Sequence, residues 1–198
     1  MIRRITRIPA RDVTAHNHRF RNRRNFSLIS VHSSFPATLY RFQLQPESKL
    51  YDKNFQPEDT EIDDAVEISR DGLVCPGISD TELSNGAVFM PNTRFMQELT
   101  RLSYDNYLDS VRDGHPSGDP HYLSIPKGTP IPSELVLFRE RNAQFSLQPS
   151  HPMLLSDLNR RLTEFYSKFG TLTAAGEWLQ KNTYQEAFDE TREDWMRE

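Results

Sequence analysis

The sequence predicts one globular domain that mixes short β-strands with α-helices and follows a basic arm. Short apolar runs bounded by turn-forming residues are typical of strands, and two longer stretches repeat apolar residues at helical spacing. A chain of 198 residues with 36% hydrophobic and 11% aromatic side chains can bury a core of its own. Because no apolar run approaches the ~20 residues that span a bilayer, we expect a soluble protein.

Charged residues are divided unevenly along the chain. The first 46 residues hold nine of the 24 basic side chains, all of them arginines, and only one of the 28 acidic side chains, Asp12. This segment therefore has a formal charge of +8, and the rest of the chain has a formal charge of −12. Such an asymmetry indicates that the two parts have different roles.

The basic arm, predicted to comprise residues 1–36, has the composition of a mitochondrial transit peptide, since it is rich in arginine and poor in acids. Residues 1–8 space isoleucines and arginines as a short amphipathic helix does, ended near Pro9. The sequence Arg24-Asn25-Phe26 before Ser27 is similar to a mitochondrial processing site. We expect the mitochondrial matrix, with the cytoplasm as the alternative. A disordered arm that contacts nucleic acid or anionic lipid through charge alone is the competing interpretation.

Strands are predicted from residue 37 onward. Residues 37–44 alternate apolar side chains with Arg41 and Gln43, as a strand does. The pair Asp71-Gly72 predicts a tight turn, because glycine adopts positive φ without steric cost. A short strand is predicted after that turn, and further strands at residues 87–90, 122–125, 135–140 and 145–148. The strand at 145–148 is expected to be half-buried.

Two helices are predicted, one in each half of the domain. The first follows the polar Thr93 and runs to about Arg112. Its expected apolar face comprises Phe95, Met96, Leu99, Leu102, Tyr107, Leu108 and Val111. The second helix is expected to begin at the N-cap Ser156 and to end at Gly170. We therefore predict a domain over residues 37–170 and an acidic, helical C-terminal extension over residues 171–198.

The residues that the sequence lacks exclude several kinds of site. Cys75 is the only cysteine, so one chain forms neither an internal disulfide nor a multi-cysteine zinc cluster. The histidines do not have the spacing of metal ligands, and we predict no metal site. The G-x-G-x-x-G motif of a Rossmann domain and the P-loop motif are both missing.

Four segments, in matching order, resemble a known family. They are Thr38-Leu39-Tyr40-Arg41, Arg70-Asp71-Gly72-Leu73 with Pro76, Ile125-Pro126-Lys127-Gly128-Thr129 with Ile131-Pro132, and residues 149–153 leading into the helix around Leu158. The family is the NAD-dependent type VI secretion toxin domain with an ADP-ribosyltransferase-like fold, and residues 84–93 are similar to its fungal-type relatives. The resemblance implies an α+β fold, in which a split antiparallel sheet with flanking helices clamps NAD in a cleft.

The resemblance also implies which residues hold NAD. Arg41 matches the first-strand residue that anchors the ribose and phosphate, and a guanidinium offers a fixed fork of donors for such oxygens. Tyr40, Asn85 and Gly86 complete the set that we assign to NAD binding. The alternative is that Arg41 points outward and is merely solvated, as strand arginines usually are.

Loss of nicotinamide from NAD builds positive charge on the ribose, and a carboxylate can stabilise that charge. Glu140 is the candidate carboxylate, with Ser84, Gln144 and Ser146 as polar groups near the nicotinamide. The alternative is that Glu140 is a surface acid paired with a neighbouring arginine.

The activity that the resemblance implies is NAD-dependent transfer of ADP-ribose to an unknown acceptor, a protein among the candidates. Two differences from the bacterial toxin bear on this activity. The bacterial toxin has a Thr-Ser pair where this chain has Gly86-Ala87, and a histidine where this chain has Gln144. Because these changes remove hydroxyl or titratable groups, two alternatives remain, a catalytically silent domain that binds a protein or nucleotide, and an NAD glycohydrolase. Nucleic acid is expected to be contacted only through the basic arm.

Overall fold

The computed structural model of the protein describes residues 30–55, 65–78, 84–115, 118–140 and 143–190. The strands are β1 (Ser30–His32), β2 (Leu39–Gln43), β3 (Tyr51–Asp52), β4 (Ala65–Val66), β5 (Leu73–Val74), β6 (Ala87–Phe89), β7 (His121–Ile125), β8 (Leu135–Arg139), β9 (Phe145–Pro149), β10 (Met153–Leu154) and β11 (Thr171–Ala174). The α-helices are α1 (Arg94–Arg112), α2 (Leu155–Phe169) and α3 (Ala175–Lys181), and a 3₁₀ turn spans Tyr184–Glu186. Strands and helices are mixed along the chain, which confirms the predicted α+β class.

Two antiparallel sheets form the framework. The four-stranded sheet has the order β1-β8-β9-β6, and the three-stranded sheet has the order β11-β7-β2. The edge strands β6 and β2 meet at a single bridge between Tyr40 and Met90, whose two backbone hydrogen bonds are 2.7 and 2.9 Å long. This is a sheet split between β6 and β2, as the resemblance implies. Two short strand pairs, β5 with β10 and β3 with β4, lie outside these sheets.

The main core lies between the four-stranded sheet and α2. Leu158 and Leu162 of α2 are fully buried there, and Phe165 stacks on Phe35 at 5.8 Å between ring centroids. A second, smaller core forms where the three-stranded sheet meets α1 and α3, around Met96, Tyr122, Ala175 and Trp178. The domain is therefore packed on both sides of the split.

Helix α1 has the predicted bounds, and the Thr93 side chain accepts a hydrogen bond from the Met96 N–H as an N-cap does. The prediction of its buried face was wrong. Met96 is buried, but the rest of the predicted face is largely open, with Phe95, Leu99, Leu102, Leu108 and Val111 all exposed. The helix instead buries Gln97 and Thr100, and the Thr100 hydroxyl donates to the Met96 carbonyl oxygen while sharing a second hydrogen bond with the Tyr122 hydroxyl. In the part of the chain that the structure describes, no helix is long and apolar enough to cross a membrane.

Helix α2 also follows its prediction except at its start. Ser156 is not the N-cap, since the cap position belongs to Leu154, which makes no side-chain capping bond. Gly170 ends the helix as expected, but with an ordinary φ of −89°. A Cβ at Gly170 would meet the Leu123 side chain and lie 2.7 Å from the Tyr166 carbonyl oxygen. The glycine is thus required by close packing between α2 and β7.

The folded region extends beyond both predicted boundaries. Strand β1 and the buried Phe35 precede residue 37, and Phe35 exchanges backbone hydrogen bonds with Gly128 and Thr129. Strand β11 continues the three-stranded sheet after Gly170, because all four of its residues pair with β7. The extension predicted over 171–198 therefore begins inside the sheet. The rest of the basic arm, its expected processing site and residues 191–198 lie outside the described residues.

Candidate active site

Glu140 directly follows β8 in the chain. Its backbone N–H donates to the Gln144 carbonyl oxygen at 3.0 Å and extends the β8–β9 ladder by one step. The residue is 4% exposed, although glutamate is almost never fully buried unless it has hydrogen-bonding partners. This burial contradicts the interpretation of Glu140 as a surface acid.

Four side-chain donors surround the Glu140 carboxylate. The hydroxyl of Ser84 donates to Oε2 and that of Ser146 donates to Oε1. The amide of Gln144 donates to Oε2 at 3.2 Å, and the amide of Gln148 donates to Oε1 at 2.9 Å. A carboxylate offers about four lone-pair sites, and these four bonds fill them. We call Ser84, Glu140, Gln144, Ser146 and Gln148 the carboxylate cluster.

Strand β9 supplies two members of the carboxylate cluster from one of its faces. Ser146 and Gln148 are two residues apart and share a face, whereas Phe145 and Leu147 point into the main core on the opposite face. All five residues of β9 are buried, so the expectation of a half-buried strand was wrong. The face that carries the polar residues is covered by protein.

Part of the segment between β4 and β6 lies against this polar face. The Gly77 N–H donates to Oε1 of Gln148 at 2.6 Å. Asn85 binds the same segment, since its amide donates to the Cys75 carbonyl oxygen at 3.1 Å and accepts from the Glu67 N–H at 2.9 Å. Both ends of the Asn85 side chain therefore hold this segment in place beside Ser84.

Gly86 follows Asn85, and its α-carbon packs against β9. A Cβ at Gly86 would meet the Leu147 carbonyl oxygen and lie 2.7 Å from Cγ of Gln148. Because real Cβ atoms do not approach other atoms so closely, only glycine fits here. The neighbouring Ala87 is fully buried in the main core.

Arg41 is buried at the split. It is 3% exposed and lies on the same face of β2 as Leu39, so it is not a solvated strand residue. Its guanidinium donates to the Val88 carbonyl oxygen of β6 at 3.3 Å. Val88 is in turn the register partner of Ser146, which donates to Glu140. Arg41 and Glu140 are thus linked indirectly, through the β6–β9 pair, with Arg41 on the main-core face and Ser146 on the opposite face.

Tyr40 lies on the opposite face of β2 from Arg41. Its ring packs edge-on against Trp178 at 5.3 Å between centroids, and its hydroxyl donates to Asn182 at 2.9 Å. Burial raises the pKa of Tyr40, which keeps its hydroxyl protonated as this bond requires. In this structure Tyr40 belongs to the smaller core.

The structure thus brings together all four residues predicted for catalysis, namely Ser84, Glu140, Gln144 and Ser146. Asn85 and Gly86 adjoin them. Gln148 was missed, although its spacing from Ser146 places both on one face of a strand, and that period of two was the available signal. Among the described residues, no group of three histidine, cysteine or acidic side chains could hold a metal ion.

A split antiparallel sheet, with a buried arginine at the split and a buried carboxylate after β8, fits an α+β protein of the ADP-ribosyltransferase-like class. The family model of the Tse2 ADP-ribosyltransferase toxin matches residues 37–178, and the chain belongs to that family. This confirms the resemblance to type VI toxins. No curated protein and no solved structure gives a significant match to the chain.

Proposed function

We propose that this protein uses NAD as a substrate, breaks the bond between nicotinamide and ribose, and transfers ADP-ribose to an acceptor. The observation that carries the proposal is the Glu140 carboxylate, held by four donors in a member of an ADP-ribosyltransferase toxin family. An anion that is fixed before the reaction stabilises developing positive charge without the cost of reorganisation.

The residues at the split fit a dinucleotide that is held without a glycine-rich loop. Arg41 provides a buried guanidinium, and this group is suited to phosphate and ribose oxygens because its donors form a rigid fork. Ser84 and Gln144 lie beside Glu140 and offer a hydroxyl and an amide for ribose or nicotinamide polar atoms. We therefore place the diphosphate near Arg41 and the nicotinamide ribose near Glu140.

In the proposed reaction the glycosidic C–N bond breaks, and its electron pair leaves with nicotinamide. Positive charge develops on the ribose, where the Glu140 carboxylate stabilises it. The acceptor then forms the new bond to the ribose carbon and loses a proton. This proton passes to solvent, because the four donors of the carboxylate cluster already occupy the lone pairs of Glu140.

Arg41→Lys tests the proposed NAD anchor. Lysine retains the charge but loses the fork of donors, so we expect the KM for NAD to rise about tenfold or more, as loss of a charge-assisted hydrogen bond does. The measurement is the initial rate of nicotinamide release at varied NAD concentration. Arg160→Lys on the exposed face of α2 is the matched control, and its KM should remain that of the wild type. An unchanged KM in a folded Arg41→Lys protein would remove the anchor from the proposal.

The same assay separates the proposed transferase from its alternatives. Transfer predicts that ADP-ribose becomes attached to a component of an added cell extract. Free ADP-ribose as the only product would indicate an NAD glycohydrolase, and no nicotinamide release with any extract would indicate a silent binding domain.

A further inference from the structure

Gln148 joins the carboxylate cluster to the segment that precedes it in the chain. The Gln148 side chain is fully buried. Its three described hydrogen bonds join it to Glu140, to Ser146 and to Gly77. Its amide nitrogen donates to Glu140 Oε1 at 2.9 Å and to the Ser146 hydroxyl at 2.7 Å. Its amide oxygen accepts from the Gly77 N–H at 2.6 Å.

These bonds make a continuous path from Gly77 to the carboxylate. Ser146 accepts from Gln148 and donates to the same Glu140 oxygen, so two routes from Gln148 end on Oε1. Buried hydrogen bonds of this kind are costly to leave unmade, and they hold their members in one arrangement. The position of Oε1 is therefore coupled to the position of Gly77.

The path also connects the carboxylate cluster to the segment that follows the Asp71-Gly72 turn. The turn at Asp71-Gly72 is exposed, with Gly72 at a φ of 79°. The chain then forms β5, passes Pro76 and reaches the cluster at Gly77. The Gln148 side chain accepts the hydrogen bond that the Gly77 N–H donates.

We propose that Gln148 is a positioning residue that fixes the Glu140 carboxylate relative to the Gly77 segment. This inference rests on the proposed function, because its catalytic consequence requires that Glu140 acts on NAD. The amide is suited to the task because it has donors for the carboxylate at one atom and an acceptor for a backbone N–H at the other. Neither a carboxylate nor an apolar side chain of similar length offers both.

Two substitutions separate the two ends of the amide. Gln148→Glu retains an oxygen that accepts from the Gly77 N–H, but it replaces the donor to Glu140 with a second carboxyl oxygen. Gln148→Met removes both the acceptor for Gly77 and the donor to Glu140. We expect either change to lower kcat for nicotinamide release about 100-fold, as a small misplacement of a reacting group does, with the KM for NAD within about twofold of the wild type. Amide hydrogen exchange at Gly77 should accelerate in Gln148→Met and stay slow in Gln148→Glu.

Gln97 provides the matched control. It is also a fully buried glutamine, but its amide donates to Asn92 and to the Asn182 backbone, away from the carboxylate cluster. Gln97→Met and Gln97→Glu are expected to lower Tm while kcat and Gly77 exchange stay unchanged. If one Gln148 variant does not fold, the other decides the matter.

The outcomes distinguish this inference from the proposed function. An active wild type whose kcat survives substitution of Gln148 would overturn the positioning role alone. Unchanged Gly77 exchange in Gln148→Met would also overturn it, with or without activity. A wild type that releases no nicotinamide would instead overturn the proposed function, and the catalytic part of this inference with it.

Discussion

Glu140→Gln is expected to lower kcat for nicotinamide release about 10²–10³-fold, while the KM for NAD changes little. The substitution keeps the size of the side chain and removes its charge, so stabilisation of the positive ribose is lost. An amide NH₂ would also face the donors that now point at the carboxylate, and leaving one buried donor unsatisfied costs about 1–3 kcal/mol of the free energy of unfolding. The measurement is initial-rate kinetics, with circular dichroism to verify folding.

Two further variants make this result specific. Glu140→Asp keeps the negative charge on a side chain that is one methylene shorter. Its kcat should lie between those of the wild type and Glu140→Gln. Glu134→Gln removes the charge of a partly exposed glutamate at the opposite end of β8 from Glu140 and should leave kcat unchanged. Near-wild-type turnover by folded Glu140→Gln would show that this carboxylate is not part of the chemistry.

Gly86→Ser is expected to lower the free energy of unfolding by about 3 kcal/mol, which is large for a single substitution. The added Cβ would overlap the Leu147 carbonyl oxygen and press on Gln148, and neither neighbour can retreat because β9 is buried on both faces. Chemical denaturation of the two proteins measures the difference.

Gly118→Ala is the control for adding a Cβ. Its new methyl group would lie 3.6 Å from Leu44, which is ordinary contact, so a change within about 0.5 kcal/mol is expected. A Gly86→Ser protein as stable as the wild type would mean that β6 and β9 are not packed as described. The same close packing leaves no room for a hydroxyl-bearing side chain at Gly86.

The fold class was predictable because strand and helix periodicities are local properties of the sequence. The bounds of α1 followed from its N-cap Thr93 and its turn residues. Its buried face did not follow, because an apolar stripe shows where a helix could pack and not what packs there. In the structure the buried side chains Gln97 and Thr100 form hydrogen bonds with partners distant in sequence, the Asn182 carbonyl oxygen and the Tyr122 hydroxyl.

The candidate site was predictable from the family resemblance and not from residue patterns. Alternation in β2 showed that Arg41 and Gln43 share a face, but the pattern did not show that this face is the buried one. Glu140 was ambiguous for the same reason, since burial of an acid depends on donors brought from other strands. Gln148 was overlooked because a glutamine in a half-buried strand is ordinarily a surface residue.

A crystal structure of the Glu140→Gln protein with NAD bound would show directly whether Arg41 and Glu140 hold the dinucleotide, since this variant is expected to bind NAD and not to consume it. We expect the diphosphate or ribose oxygens within hydrogen-bonding distance of the Arg41 guanidinium, and the nicotinamide ribose beside residue 140 and the Ser84 hydroxyl. A dinucleotide bound away from the split, with Arg41 still covered by protein, would contradict this expectation.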